Sequence, residues 1–406
     1  MSSQICTPPA PDSGAAGVAL QQGTALKHLP ALDGLRGLAI SLVLMHNLSA
    51  DALPPTSTGR ILEFALNIGW IGVQLFFVLS GFLITRILLR TQSSPNYYRA
   101  FFGRRVLRIF PLYYGVLLVA FVALPLMGVG SPALAHDQEH QVWLWLYLSN
   151  WTHVLNFDSR LFPHFWSLAI EEQFYLLWPL LLHRRTARQV LRLSIAIAVV
   201  SLLVRAAMLW FGAHADSVYT YTVCRMDALA LGAVVAALLE MPATAKWLSA
   251  RRQSLAWGAV VLWMLGLIVT HGYPRLSPLG QTLGYSWLAC VFAIAVLAVA
   301  CGPAEGRSPV WEKALAALPL RTLGEYSYAM YVFHKLLDDW IGKPMLAHFG
   351  LLDQPSFTIG IGYVVAASLA TLALAALSYH FFEKHFLSLK RGFIADLPRG
   401  PTANSR

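Results

Sequence analysis

Ten apolar stretches, each about long enough to cross a bilayer as a helix, run through this sequence between residues 35 and 381. A helix needs roughly 20 mostly apolar residues to span the hydrocarbon core. The stretches are 35–53, 68–89, 107–127, 165–182, 190–211, 223–239, 255–270, 282–300, 323–341 and 358–381. Composition agrees. The chain is 57% apolar and only 12% charged, against about 25% charged in a soluble globular chain. A net charge of +10 would point to nucleic acid in a soluble protein, but in a chain this apolar it points to an anionic membrane surface. The expected fold is therefore all-α: a polytopic integral membrane bundle of about ten transmembrane helices. The Trp-rich stretch 142–151 is too short to span and is expected at the membrane interface, where amphipathic rings are favoured.

Basic residues orient the bundle. With the N-terminus inside, 22 of the 30 lysines and arginines fall on the inner side, while the outer loops carry only Arg60, Arg160, Arg275 and Lys343. This split predicts cytoplasmic termini and an even number of spans. Residues 1–29, rich in Pro, Ser, Ala and Gly and without the apolar core of a signal peptide, are expected to be a disordered cytoplasmic tail. Residues 30–390 form the membrane domain, and 391–406 a second cytoplasmic tail. The longest outer loop, 128–164, is the expected lid or acceptor-binding surface. Cys6, Cys224, Cys290 and Cys301 show neither paired nor metal-ligand spacing, so no disulfide framework and no metal site is expected.

Ionisable groups at bilayer depth are costly and usually face a bundle interior or a wet cavity, so the charges within spans carry the functional information. Arg36 sits near the inner end of the first span, and His46 lies ten residues on, about 15 Å further along a helix. Arg36 fits an anionic donor and His46 a general base; a snorkelling anchor and a satisfied bundle histidine fit them as well. The fourth span carries adjacent carboxylates, Glu171 and Glu172, with Ser167 and Tyr175 at i−4 and i+4 of Glu171. Two carboxylates there need partners or protons; a structural carboxylate bonded to Arg36, Arg225 or a tyrosine is the alternative. By rise per residue, His46 and Glu172 reach similar depths, so a His–Glu meeting near the midplane is expected. His334, with Lys335 beside it, falls at that depth too and reads as a second polar site. Arg225 and Asp227 open the sixth span and fit either a local ion pair or helix-end anchor, or acceptor recognition at the outer mouth. The run containing Arg104, Arg105 and Arg108 fits a headgroup anchor or forked contacts to donor phosphates.

Several segments resemble the acyltransferase-3 family of membrane acyltransferases. Leu32-Asp33-Gly34-Leu35-Arg36-Gly37 resembles its opening motif. Gly69-Trp70-Ile71-Gly72 through Leu79-Ser80-Gly81-Phe82 resembles its second, and Phe101-Phe102-Gly103-Arg104-Arg105-Val106-Leu107-Arg108 its third. Trp166-Ser167-Leu168-Ala169-Ile170-Glu171-Glu172-Gln173-Phe174-Tyr175 is the most specific. Gly324-Glu325-Tyr326-Ser327-Tyr328 through Phe333-His334 is similar to a late motif containing a histidine. The order is the family's own, and the resemblance covers nearly the whole chain after the tail. Two departures stand out: nine residues rather than ten separate Arg36 from His46, so that Asn47 takes the usual place, and Gln74 stands where family members often have Asp. The resemblance implies transfer of an acyl group, acetyl by default, from acyl-CoA as co-substrate to a hydroxyl of a polysaccharide, glycolipid or small molecule, with no tightly bound cofactor. The site would be His46, Glu171, Glu172 and Arg36, with Arg104, Arg105, Arg108, Ser167, Tyr175, Arg225, Asp227 and His334 binding donor or acceptor. It implies the stand-alone type, without an extracytoplasmic hydrolase-like domain, in a bacterial inner membrane; no nucleic acid partner is expected. The rival reading is a transporter or flippase that moves an acylated lipid or sugar without chemistry.

Overall fold

The computed structural model describes residues 29–48, 53–155, 157–302 and 308–396; the N-terminal tail expected over 1–29 lies almost wholly outside them. Ten helices of 16 residues or more match the ten stretches: α1 (Pro30–Asn47), α2 (Ile71–Thr91), α3 (Tyr97–Leu118), α4 (Phe165–Leu182), α5 (Ala187–Trp210), α6 (Thr222–Leu239), α7 (Arg252–Val269), α8 (Tyr285–Ala300), α9 (Leu318–Leu337) and α10 (Phe357–Ser378). There is no strand among the described residues. Seven helical segments, those containing α2, α3, α5, α6, α7, α8 and α10, are long and apolar enough to cross a membrane. The other three long helices carry Arg36, Glu171 with Glu172, and His334. Apolar side chains such as Leu203, Trp257 and Leu369 face outward, as they would toward lipid. The chain is an integral membrane protein.

In a bilayer, helices gain little from hiding apolar surface from one another, so they associate through close packing at small residues. The two most extensive pairings, α1 with α9 and α2 with α6, follow that rule. A Cβ added at Gly37 would stand 1.9 Å from the Leu320 carbonyl oxygen, and one at Gly324 1.9 Å from that of Asp33. The glycines of the first and last motifs are thus the two sides of one helix crossing. Gly81 and Gly232 do the same for α2 and α6, each with a facing carbonyl oxygen within 2.0 Å of where a Cβ would stand.

Two segments outside the ten long helices pack on the bundle. The stretch 142–151 buries Leu144 and Tyr147 and exposes Val142 and Leu146. It breaks at Leu146 into a short helix (Val142–Trp145) and a 3₁₀ turn (Ser149–Leu155), with Tyr147 left-handed (φ 53°) between them. Tyr113 donates to the Leu144 carbonyl at 2.8 Å and Gln173 to that of Tyr147 at 2.8 Å, while the Tyr147 ring stacks on Tyr113 at 4.1 Å. Trp145 stacks on Tyr114 and Trp151 on Tyr221, so three of the stretch's four aromatic rings have ring partners. The first residues of the C-terminal segment expected to be a tail also pack on the bundle. The turn Leu389–Phe393 folds back on α3, with Asn96 donating to Ile394 O (2.9 Å) and Asp396 Oδ2 (2.8 Å).

Candidate active site

A chamber of about 270 Å³ lies among α1, α2, α3, α4 and α9. Every helix that builds it brings one of the family-like motifs, and the glycine crossing of α1 on α9 sets its width. Arg36 comes from α1, Ser80 from α2, Arg105 and Arg108 from α3, Ser167, Glu171, Glu172 and Tyr175 from α4, and Tyr328 and Tyr331 from α9. Spacing on α4 explains its share: residues four apart in a helix stand on one face, so Ser167, Glu171 and Tyr175 all turn inward.

Within the chamber the hydroxyls are ordered. Ser80 Oγ donates to Glu171 Oε1 at 2.6 Å, and Tyr175 Oη donates to Ser80 Oγ at 3.0 Å. The partner expected for Glu171 from the sequence was an arginine or a tyrosine; the serine stands between it and Tyr175. Glu172 Oε1 is buried and accepts no hydrogen bond among the described residues. The Arg105 guanidinium lies over the Tyr175 ring at 5.2 Å. Arg36, Arg105 and Arg108 have no carboxylate oxygen within 4.0 Å among the described residues. At the far end Ser167 Oγ and Tyr331 Oη share a 2.5 Å hydrogen bond, and Tyr331 Oη also donates to the His164 carbonyl at 3.2 Å.

The chamber has an antechamber. A second cavity of about 460 Å³ is lined by Asp33, Arg321, Glu325, Glu383 and others, and it shares Arg36, Arg108 and Tyr328 with the first. It lies at the end of the bundle where α1 begins and α10 ends. Cations are therefore concentrated along the junction of the two cavities.

Other sequence candidates are placed differently. His46 does not line the chamber. It packs at the opposite end of α1 against Gly69, whose added Cβ would stand 3.1 Å from the His46 Cβ; Val73, one helical turn further on, lines the chamber. The meeting of His46 with an α4 carboxylate is thus not formed. The depth argument took α4 to start at the membrane surface. Its first residues, His164 and Phe165, are instead buried at 6% and 0% exposure, and Asp137, fully buried, ties the loop beyond them by accepting from Ser159 Oγ and the Arg160 and Leu161 amides at 2.6–2.9 Å. The carboxylates therefore lie level with Arg36. His334, also fully buried, joins His164 at 4.7 Å between ring centroids, and its Nδ1 lies 2.7 Å from the Tyr331 carbonyl. That carbonyl can only accept, so Nδ1 carries the hydrogen. Arg104 is exposed and lines neither cavity.

Arg225 and Asp227 are both buried, at 0% and 1% exposure, and they do not pair with each other, so neither the local ion pair nor the helix-end anchor is formed. Asp227 takes Arg205 at 2.8 Å and Ser286 at 2.9 Å. Arg225 donates to Gln74 Oε1 at 2.6 Å and stands over the rings of Tyr285 (4.3 Å), Tyr219 (5.2 Å), Phe77 (5.7 Å) and Trp166 (5.8 Å). One residue's difference in helix position rotates a side chain by about 100°; two such steps send Arg225 and Asp227 to opposite sides of α6. Sequence reasoning also passed over Ser80, Tyr331 and His164. Ser80 did leave a signal, as a hydroxyl inside an apolar span whose nearest preceding polar residue, Gln74, is six positions away.

Comparison with known proteins agrees with this geometry. The family model described as an acyltransferase domain matches residues 29–380. YrhL of Bacillus subtilis, named for peptidoglycan O-acetylation, is 31% identical over 389 residues, covering 88% of this chain and 55% of the relative. The O-acetyltransferase OatA of Staphylococcus aureus is 28% identical over 397 residues, covering 91% of this chain and 58% of the relative. The peptidoglycan O-acetyltransferase OatA of Listeria monocytogenes is 28% identical over 385 residues. The chain spans somewhat over half the length of these relatives. No solved structure matches it. With that match over most of its length, and with all five motifs converging on one chamber, the chain belongs to the acyltransferase-3 family.

Proposed function

We propose that this protein is a membrane O-acyltransferase that takes an acyl group, acetyl by default, from acyl-CoA and passes it to a hydroxyl of an envelope carbohydrate such as peptidoglycan. The observation that carries the reading is the arginine-lined junction between antechamber and chamber. Arg36 and Arg108 border both cavities with no carboxylate oxygen of the described residues within 4.0 Å, and guanidinium forks suit phosphate oxygens. The remaining parts of the proposal follow the positive-inside orientation, with ten spans and cytoplasmic termini. The donor's phosphates then rest at the junction from the cytoplasmic side and its pantetheine arm runs inward. The transport alternative finds no support in the relatives, which are named for O-acetyl transfer.

In the proposed step the acceptor oxygen attacks the thioester carbonyl, its proton passes to a base, and the CoA thiolate leaves and takes up a proton. His46, about 15 Å along α1 from Arg36, is the proposed base for an acceptor arriving from the outer end, because neutral imidazole suits that role. The Ser167–Tyr331 pair at the closed end supplies hydroxyl donors for the developing oxyanion. A second reading is favoured by the bare Oε1 of Glu172, which would then receive the proton inside the chamber. Purified protein in nanodiscs, given labelled acetyl-CoA and peptidoglycan fragments, tests both. Loss of transfer in His46→Ala with transfer kept in Glu172→Gln puts the base at His46, and the opposite pattern puts it at Glu172. Full transfer in both variants and in Arg36→Ala would sink these residue roles, and a wild type that neither binds acetyl-CoA nor transfers from it would sink the donor reading.

A further inference from the structure

The antechamber is built unlike the chamber it leads to. At their junction stand Arg36, Arg108 and Tyr328; beyond it the lining turns acidic and aromatic, with Asp33, Glu325 and Glu383 and the rings of Tyr326 and Tyr379. Glu325 and Tyr326 come from α9, Tyr379 and Glu383 from the turn Tyr379–Glu383 that follows α10. The two rings meet edge to face, at 5.5 Å between centroids and 83° between planes. Both are only half-buried, so ring surface is left for a third flat group. Arg321 and Glu325 also line the cavity, four residues apart on one face of α9. Opposite charges at that spacing ordinarily close on each other, but no carboxylate oxygen of the described residues lies within 4.0 Å of Arg321, and its Nε is buried without a hydrogen-bond partner among them. A donor and an acceptor thus line one cavity without pairing. At about 460 Å³ the cavity is of ligand size, since small-molecule sites run from about 300 to 1,000 Å³.

We propose that the antechamber is an aminopurine nucleoside site that takes the adenosine end of the acyl donor, with the base against the Tyr326–Tyr379 corner and its amino group donating to Glu325. This rests on the acyl-CoA reading above. The order of groups in coenzyme A gives the placement. The pantetheine arm enters the chamber, the pyrophosphate next to it lies at Arg36 and Arg108, and the nucleoside follows on the antechamber side of that junction. The ribose 3′-phosphate then falls to Arg321, the other arginine of the lining. Away from Arg321 the carboxylates repel phosphate, whereas adenine is uncharged, offers a flat π face to a ring and carries an exocyclic amine from which a carboxylate accepts. A ligand with phosphates at one end and an aminopurine at the other matches a cavity that is cationic at the junction and acidic and aromatic beyond it. The consequence is a choice of donor: phosphopantetheine carried on a protein has the same arm but no nucleoside, and gains nothing from the antechamber.

Affinities of acetyl-CoA and of acetyl-phosphopantetheine, which lacks the nucleotide, test this with full-length protein in phosphatidylcholine nanodiscs. Tyr326→Ala is expected to weaken acetyl-CoA about tenfold, as loss of one base–ring stack does, and to leave acetyl-phosphopantetheine unchanged, which a misfolded variant would not. Tyr326→Phe, which keeps the ring, binds both compounds as the wild type does. Glu325→Ala erases a severalfold preference of the wild type for acetyl-CoA over its hypoxanthine analogue, in which a carbonyl replaces the amine. A Tyr326→Ala loss shared equally by acetyl-CoA and acetyl-phosphopantetheine, or no loss for either, overturns the nucleoside site and leaves the donor reading intact. Binding of neither compound by the wild type overturns the donor reading itself. A Tyr326→Ala loss confined to ADP, with acetyl-CoA unaffected, gives the cavity to a free nucleotide instead of the donor, and the proposal falls.

Discussion

The bundle buries two sets of charges, and they are built in opposite ways. Around α6, Arg205 and Asp227 pair at 2.8 Å, Ser286 fills in beside them, and Arg225 is boxed by four aromatic rings with Gln74 as its hydrogen-bond partner. Neither the chamber nor the antechamber is lined by Arg205, Arg225, Asp227 or Ser286. Around α4, three arginines and two carboxylates share walls of one chamber without a single ion pair between them. A buried charge with its partner in place is architecture; removing one side leaves the other stranded. A buried charge turned to a cavity keeps its hydrogen-bonding capacity for a ligand. Both sets read alike in the sequence only as ionisable residues within an apolar span, a carboxylate pair on α4 and an arginine two residues from an aspartate on α6.

The largest effect that sharpens this contrast is on stability. Asp227→Ala strands Arg205 in the bundle and is expected to cost about 3–5 kcal/mol, read as a fall in the unfolding temperature in nanodiscs. The molecules that do fold should transfer acyl groups at the wild-type rate. An Asp227→Ala protein of ordinary stability with no transfer would move that cluster into the site and erase the distinction. The converse change is Arg36→Gln. It is expected to raise the Michaelis constant for acetyl-CoA by about tenfold or more through the lost charge-assisted phosphate contact, with the unfolding temperature nearly unchanged, because no carboxylate oxygen among the described residues lies within 4.0 Å of Arg36.

Much of this was legible beforehand. Ten long helices overlap the ten apolar stretches, and seven are in segments long and apolar enough to cross a bilayer; Arg36, Glu171 and Glu172 were marked as ionisable within spans, Ser167 and Tyr175 by their spacing from Glu171, and Arg105 and Arg108 by a basic run at a span's end. What escaped was anything set by contact across helices. The partner of Glu171 is Ser80, 91 positions away, and a lone serine carries no charge to mark it. The relative depth of α4 depends on Asp137 tying a loop beyond its start, which no count of rise per residue includes. The side of α6 that Asp227 faces depends on Arg205, a residue the sequence reading passed over as one more basic residue within a span.

A smaller effect concerns the end of the chamber. Tyr331→Phe removes the hydroxyl shared with Ser167 and also the donor to the His164 carbonyl. If this pair serves the transition state, turnover should drop by about tenfold to 100-fold with little change in the Michaelis constant for acetyl-CoA. A rise in that constant alone would make the pair part of ground-state donor binding. Arg104→Ala, by contrast, should change transfer by less than about twofold: its side chain is exposed and touches neither cavity, so it lacks the desolvation that gives the neighbouring Arg105 its leverage.

The smallest effect asks whether the closed cluster is as self-sufficient as it looks. Gln74 stands where family members often carry Asp, and it meets Arg225 as a neutral partner at 2.6 Å. The guanidinium's charge is then balanced by ring faces, of which four lie within 6 Å, and each such contact is worth about 0.5–2 kcal/mol when desolvated. Gln74→Asp would add a formal counter-charge but shorten the side chain by one methylene and remove the amide that donates to the Tyr285 carbonyl at 3.0 Å. A charged hydrogen bond gains about 1 kcal/mol over a neutral one, and an orphaned buried carbonyl loses about as much. The two nearly cancel, so the unfolding temperature should move by only a few degrees and transfer should not change. A large gain in stability would mean that the rings do little for Arg225, and a large gain in transfer would mean that this charge reaches the chamber through Phe77, the one ring of the four that lines it.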